Sequence, residues 1–508
     1  MKIEDMSLEQ KIGQLFVTGF PQDHPSEEFL RLVRKYKIGN VILFSHNISS
    51  MHQLSQLTKE LFREIEAETG VIPFISTDEE GGVVSRLPKD AAIMPSALAQ
   101  AGAGDPEAVY QAARITGEQL KALGINFNLA PVLDINSNMD NPLIGVRSFG
   151  ETSGQVIRFG EMALKGYLDA GILCSGKHFP GHGDTDKDSH LALPIVNADR
   201  KLLQERELAP FSRLIRQGLP AVTVGHVIVP ALEPDSIPCT LSRKAVTGLL
   251  REEMQFDGLI ISDCLEMAAI KEFYGIAKGA AEGLKAGLDL IYISHTASAA
   301  EEAMLAVRKA AENGEIPMER INQAVSHVLA AKEKYGACSW DEGKAGTPKQ
   351  LSFAEKFLEQ TIRPLPSSAE RYFCLGEHPL FIGIEPGRVT LASDGKGPEN
   401  FAYFMQAHFG GEAVACSAEV TEEEIRKCLE KAKDKSSVTV GTLNGHLKPG
   451  QCRLLAALDR LEIPMAHAAL RDPYDLDKSA EKAFKIALYE YTVRAMEKAE
   501  KYFIRRPH

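Results

Sequence analysis

Eight short apolar runs alternate with longer amphipathic stretches through residues 14–335 of this chain. The runs are QLFVTGF (from Gln14), NVILFS (from Asn40), VIPFISTD (from Val71), NFNLAPVLDI (from Asn126), ILCSGKHF (from Ile172), AVTVGHVIV (from Ala221), GLIISD (from Gly258) and LDLIYIS (from Leu288). Each is apolar at nearly consecutive positions, as a strand covered on both faces in a parallel sheet should be. The segments between them, 26–37, 51–70, 106–123, 154–170, 199–217, 242–255 and 267–286, space their apolar residues as helices do. Two more helical patterns, 298–313 and 317–335, follow the last run. Several open with a Ser, Asp or Asn cap and close at a glycine, as at Gly124, Gly171, Gly218 and Gly287. Strict β–α alternation predicts a parallel sheet with helical crossovers. Eight units predict a closed (β/α)8 TIM-like barrel, with an open doubly wound sheet as the alternative.

The chain has 508 residues, more than one barrel needs. Residues 1–340 are assigned to the barrel. The polar, Gly- and Pro-containing stretch DEGKAGTPKQ, residues 341–350, reads as a linker. Residues 351–508 then form a smaller αβα sandwich domain. Its strand signals are PLFIGIE (from Pro379), VTVGTL (from Val438) and IPMAHAAL (from Ile463). Helical patterns lie between them, with a long charged one expected from residue 476 to 502.

Acidic residues number 69 against 57 basic ones, a net charge of −12. Such a surface repels phosphate backbones and anionic headgroups, so nucleic-acid binding is excluded. The first residues, MKIEDMSLEQKIGQLFVTGF, carry acids where a signal peptide needs bases. No apolar stretch long enough to span a bilayer occurs, so no membrane insertion is expected. The eight cysteines are dispersed and form no C-x-x-C pair, which points to reduced thiols and a cytoplasmic location.

In a barrel of this kind the active site forms at the carboxyl ends of the strands. Those ends carry Asp78, followed by Glu79, Glu80 and Arg86; Asp134, with Arg147 in its loop; Lys177 and His178; His226; Asp263; and His295. A single Asp at a strand end is most simply a helix cap. Lys-His pairs, arginines and lone histidines are not cap residues, and their convergence predicts a shared polar pocket. The densest segment is KHFPGHGDTDKDSH, from Lys177 to His190. It admits three readings. His178, His182, Asp184 and His190 offer metal ligands, but at a spacing that matches neither H-E-x-x-H nor a zinc ribbon. As a structural loop, its glycines and proline set turns while the polar residues stay solvated. As an acid/base loop, Asp188 and His190 stand two apart, on one side of an extended backbone, where the carboxylate would raise the basicity of the imidazole.

KHFPGHGDTDKDSH resembles the signature of family 3 glycoside hydrolases, in the branch of bacterial β-N-acetylglucosaminidases. STDEEGGVVSRL (from Ser76), LAPVLDINSNMDNPLIGVRSFGE (from Leu129) and LSRKAVTGLLREEMQFDGLIISDCLEM (from Leu241) match that family in order. The C-terminal segment, with VGTLNGHLKPGQ and ALRDPYDL, is similar to the αβα domain of two-domain members. The resemblance implies a retaining exo-acting enzyme without metal or cofactor. Asp263 would be the nucleophile, and His190 paired with Asp188 the general acid/base, replacing the second carboxylate of most glycosidases. Asp78, Arg86, Arg147, Lys177 and His178 would bind the terminal sugar. The implied partners are small soluble N-acetylglucosamine-containing oligosaccharides: peptidoglycan fragments or chito-oligosaccharides.

Three positions depart from the family pattern. Val83 stands where an arginine is frequent, Val146 where an acid often precedes the RSF arginine, and Cys264 where a second Asp often follows the nucleophile. Val146 leaves Arg147 one possible carboxylate partner fewer. His226 and His295 are expected either to line the pocket or to be hydrogen-bonded core residues. The alternatives to hydrolysis are phosphorolysis on the same scaffold, which a histidine acid/base permits because it does not repel incoming phosphate, a metal-dependent barrel hydrolase, and a sugar-binding protein without turnover.

Overall fold

The computed structural model describes residues 2–185, 193–365, 371–385 and 399–505. By internal contacts it divides into two compact units. The first comprises residues 1–80, 84–93 and 105–353, and the second residues 81–83, 94–104 and 354–508.

The first unit is built on a closed barrel of parallel strands. In order they are β1 (Phe16–Thr18), β2 (Asn40–Ile42), β3 (Phe74–Thr77), β4 (Phe127–Asn128), β5 (Leu173–Phe179), β6 (Ala221–Val224), β7 (Leu259–Cys264) and β8 (Leu290–Ile293). Every position of these strands is buried except the last two of β7, Asp263 and Cys264. Burial on both faces is what their unbroken apolar runs require. The barrel therefore forms as the alternation predicts, and the open sheet is excluded.

Most barrel helices start and stop where the sequence marks them, but 199–217 divides into Arg200–Glu205 and Leu208–Ile215, and 267–286 into Ala268–Lys271 and Ile276–Ala286. Ser26, Ser50, Asp105, Thr152 and Asp199 each accept a first-turn amide with the side chain. After the helix Pro106–Ala122 the chain turns at Gly124, whose φ is +85°. A Cβ there would lie 2.2 Å from Thr58 Oγ1, so the turn admits only glycine. At the amino ends of the strands, buried Asp289 collects Arg251 at 2.8 Å, Arg320 at 2.9 Å and His327 at 3.0 Å. This end of the barrel is knitted by charge and leaves the opposite end for chemistry.

The second unit contains β10 (Pro379–Ile384), β11 (Glu412–Cys416), β12 (Ser437–Thr442), β13 (Met465–Ala469) and β14 (Phe484–Ala487), all parallel in the order β11-β10-β12-β13-β14. A short parallel pair joins β9 (Phe373–Cys374) to β15 (Phe503–Ile504). This is a doubly wound order that reverses between β10 and β12. Right-handed crossovers then put the helix Phe401–Phe409 on one face, and the helices Glu422–Ala432 and Pro449–Asp459 on the other.

The long charged helix expected over 476–502 is not formed. That stretch holds the end of a 3₁₀ segment (Pro473–Lys478), β14 and the helix Val493–Glu500, and β15 follows it. Phe484, Ile486 and Leu488 are buried beside β13, so the gain from completing the sheet outweighs the helical propensity of the flanking charges. Tyr489 then takes a left-handed φ of +59°, and Thr492 caps the next helix through the Ala495 amide. The stretch 341–350 carries a 3₁₀ turn (Glu342–Lys344) and the beginning of the helix Pro348–Thr361.

Candidate active site

Lys177, near the carboxyl end of β5, places its ammonium 2.7 Å from Asp78 Oδ1 and 2.5 Å from Glu80 Oε1. Arg147 donates to both oxygens of Glu80 at 2.9 Å and reaches His178 Nε2 at 3.5 Å. That contact makes Nε2 the acceptor and leaves Nδ1 to carry the ring hydrogen toward Asp134 Oδ2, 2.6 Å away. Asp134 also accepts the amide of His178 at 3.2 Å and, through its other oxygen, the amide of His182 at 2.6 Å. One network thus runs from β3 across β4 to β5. The strands lose regular register beside it, between Lys177 and Phe179, and again between Ile261 and Cys264.

Charge balance explains why so many ions survive in a buried place. Burial raises the Glu80 and Asp134 carboxyls, but Arg147 and Lys177 outweigh it for Glu80, and His178 for Asp134, leaving both below their usual range. Burial likewise works against the cations of Arg147 and Lys177. Glu80 overcomes it for Arg147, and Asp78 with Glu80 for Lys177. His182 has no such compensation: burial pulls it down to about 4, against the attraction of Asp134, and it is neutral at pH 7.

The β3 loop is shaped by Glu79. Its carboxylate accepts the Ser85 hydroxyl at 2.7 Å and the amides of Arg86 at 2.7 Å and Leu87 at 3.0 Å. Asn128 of β4 fixes the Glu79 backbone from both sides, at 3.0 Å each. Arg86 is thereby held over the Phe44 ring, 5.9 Å from its centroid. In the β5 loop, Gly183 passes so close to Ile135 that a Cβ would come within 1.6 Å of its carbonyl oxygen. Only glycine lets this loop lie against the β4 end.

Asp263 stands half-buried near the end of β7, with Oδ1 accepting the Cys264 amide at 2.8 Å. Its charge is felt by His182, whose protonated form it favours. His226 is fully buried, and its ring nitrogens lie 2.8 Å from Thr240 Oγ1 and 2.9 Å from the Cys264 carbonyl. It is the hydrogen-bonded core histidine of the two readings, tying β6 to the end of β7. His295 is exposed and packs on Phe44 at 4.7 Å.

The structure thus brings Asp78, Lys177, Arg147 and His178 into one network and holds Arg86 on the adjoining loop. Asp263 lies within electrostatic reach of it. Asp188 and His190 lie outside the described residues. His178 and His182 share Asp134, and Asp184 pairs with Arg206. Among the described residues these three do not form a metal-holding group. Sequence reasoning placed Glu79, Glu80 and Asp134 at the strand ends but gave them no role in the site. The signal was the cation count: three buried cations require as many carboxylates, and these three stand beside them at the strand ends.

A cluster of buried, oriented donors and acceptors at the open end of a barrel suits a ligand dense in hydroxyl groups. The sequence pattern of the glycosyl hydrolase family 3 N-terminal domain matches residues 7–331. The chain belongs to glycoside hydrolase family 3. Beta-hexosaminidase A of Pseudoalteromonas piscicida is 33% identical to this family 3 chain over 329 residues, covering 60% of it and 55% of the relative. The chain thus spans little more than half of that relative. The beta-hexosaminidase of Idiomarina loihiensis (strain ATCC BAA-735 / DSM 15497 / L2-TR) is 30% identical over 320 residues, covering 62% of this chain and 94% of the relative. A solved family 3 β-N-acetylglucosaminidase from Paenibacillus sp. str. FPU-7 superimposes with a TM-score of 0.89 at 36% identity, covering 97% of this chain and 96% of that one. This family 3 member is a glycoside hydrolase.

Proposed function

We propose that the protein is a retaining exo-β-N-acetylglucosaminidase. It removes terminal non-reducing N-acetylglucosamine from small soluble oligosaccharides. The observation that carries this reading is the network Asp78–Lys177–Glu80–Arg147–His178 at the carboxyl ends of β3 to β5. Asp78 is its most exposed carboxylate and accepts sugar hydroxyls, Arg147, Lys177 and Arg86 supply donors, and His178 orients Arg147 toward them. The Paenibacillus structure is named for the same sugar, and the two relatives for hexosaminides more broadly. Asp263 attacks the anomeric carbon from β7 and forms the glycosyl-enzyme. His190, oriented by Asp188, protonates the leaving oxygen and then, as neutral imidazole, takes the proton of the attacking water. We assign the substrates to peptidoglycan fragments or chito-oligosaccharides in the cytoplasm, a compartment that suits eight free thiols. No helix among the described residues is long and apolar enough to cross a membrane.

The test is turnover of an aryl β-N-acetylglucosaminide with and without phosphate, identifying the sugar product each time. Free N-acetylglucosamine at the same rate in both supports the reading. A phosphate-dependent rate yielding N-acetylglucosamine 1-phosphate replaces it with phosphorolysis, and absence of cleavage overturns it.

A further inference from the structure

Cys264 departs from its family's pattern at the position after Asp263, and the proposed chemistry has no use for it. It has two neighbours of complementary kind. Glu266, on the loop leaving β7, brings Oε2 to 3.9 Å from Cys264 Sγ. His295, just beyond β8, completes a group whose ligand atoms all lie within 4.8 Å of one another. From these three residues we infer a binding site for one thiophilic divalent cation, with zinc the ion it fits best.

The donor set decides the ion. Thiolate and imidazole select zinc over magnesium or calcium, and one carboxylate oxygen completes a three-ligand site with a fourth position open. Zinc bonds of about 2.3 Å to sulfur and about 2.0–2.2 Å to oxygen, at the tetrahedral angle, set the two ligand atoms about 3.5 Å apart. The observed 3.9 Å needs only a small side-chain adjustment. The thiol proton leaves to solvent on binding, so thiolate and carboxylate together neutralise the cation.

The surroundings hold the ligands in place. Glu266 Oε2 accepts the His295 amide at 2.6 Å, which fixes the carboxylate against the residue that shares the ion. The Cys264 carbonyl is held by His226 Nε2 at 2.9 Å, and the His295 ring is backed by Phe44. Cys264 and Glu266 are half-buried and His295 is exposed, so the ion has a path from solvent. An ion there stands one residue from Asp263. Its positive charge would stabilise that carboxylate and blunt its attack, a consequence that rests on the proposed role of Asp263, whereas the site itself does not.

Titrating the full chain with cadmium chloride, while following the ultraviolet cadmium–thiolate band, tests the site. The wild type is expected to saturate at one cadmium per chain, and Cys264→Ser to lose the band. Glu266→Gln and His295→Gln, which leave the thiol in place, should each weaken binding by roughly tenfold or more. No band at one equivalent overturns the proposal. So does a band that survives Cys264→Ser, or one indifferent to Glu266→Gln and His295→Gln, which would report a lone thiol. Zinc inhibition of wild-type turnover that disappears in Cys264→Ser supports the link to Asp263. Binding without inhibition overturns that link and leaves the site standing.

Discussion

Arg147 donates to both oxygens of Glu80 at equal distances of 2.9 Å, and the two side chains are 4% and 5% exposed. Glu80 also meets Lys177 at 2.5 Å, so a single carboxylate orients two of the cations assigned to the sugar. Val146 removed one possible partner of Arg147, and Glu80 supplies it from another strand. Glu80→Gln should cost about 3–5 kcal/mol of stability, because it leaves two buried cations undercompensated. It should also raise KM more than it lowers kcat. Chemical denaturation with steady-state kinetics checks both, and a variant of wild-type stability with unchanged KM would contradict the assignment.

The same pair sets an acid limit. Burial would raise the Glu80 carboxyl, yet Arg147 and Lys177 hold it far below its ordinary value. A depressed folded-state value contributes stability that is complete above the ordinary carboxylate range and is lost as pH falls below it. His182 adds to this from the other side. Burial lowers it to about 4, against about 6.5 in an unfolded chain, so the unfolded state binds the extra proton between those values. The share of stability that rests on neutral His182 therefore falls as pH drops from about 6.5 to about 4. His182→Gln should remove its share of the acid destabilisation and so change the slope of melting temperature against pH over that window, while the share of His467, also held at about 4, stays. An unchanged slope would refute the argument.

Asp263→Asn should abolish turnover and leave folding intact. The residue is half-buried at the end of β7, and its Oδ1 contact to the Cys264 amide survives in the amide side chain. Activity on an aryl β-N-acetylglucosaminide and circular dichroism are the measurements. A variant that keeps most of its turnover shows that the nucleophile lies elsewhere.

His190→Ala separates leaving-group assistance from everything else. Activated aryl glycosides need little protonation, so their turnover should fall less than that of chito-oligosaccharides. Equal losses on both substrates would remove His190 from the acid role.

Much of the fold was legible because its signals are local. Eight apolar runs, Ser and Asp caps, and the stop at Gly124 act over a few residues each, and the barrel follows from their alternation. The stretch after Leu476 misled for the complementary reason. Its charges favour a helix locally, but Phe484–Ala487 gains more by pairing with β13, a partner invisible in the local pattern. At the site, the family motifs singled out Asp78, Arg147, Lys177 and His178, which the structure joins in one network.

The amino-acid sequence by itself determined the order of elements and the kinds of polar group at each strand end. Only the tertiary structure decided which charge faces which. Glu80 and Arg147 are 67 residues apart along the chain, and Asp134 and His178 are 44 apart. Their meeting depends on barrel closure, which brings neighbouring strand ends within ion-pair distance and excludes water. Those two conditions turn ordinary charged residues into an oriented binding surface.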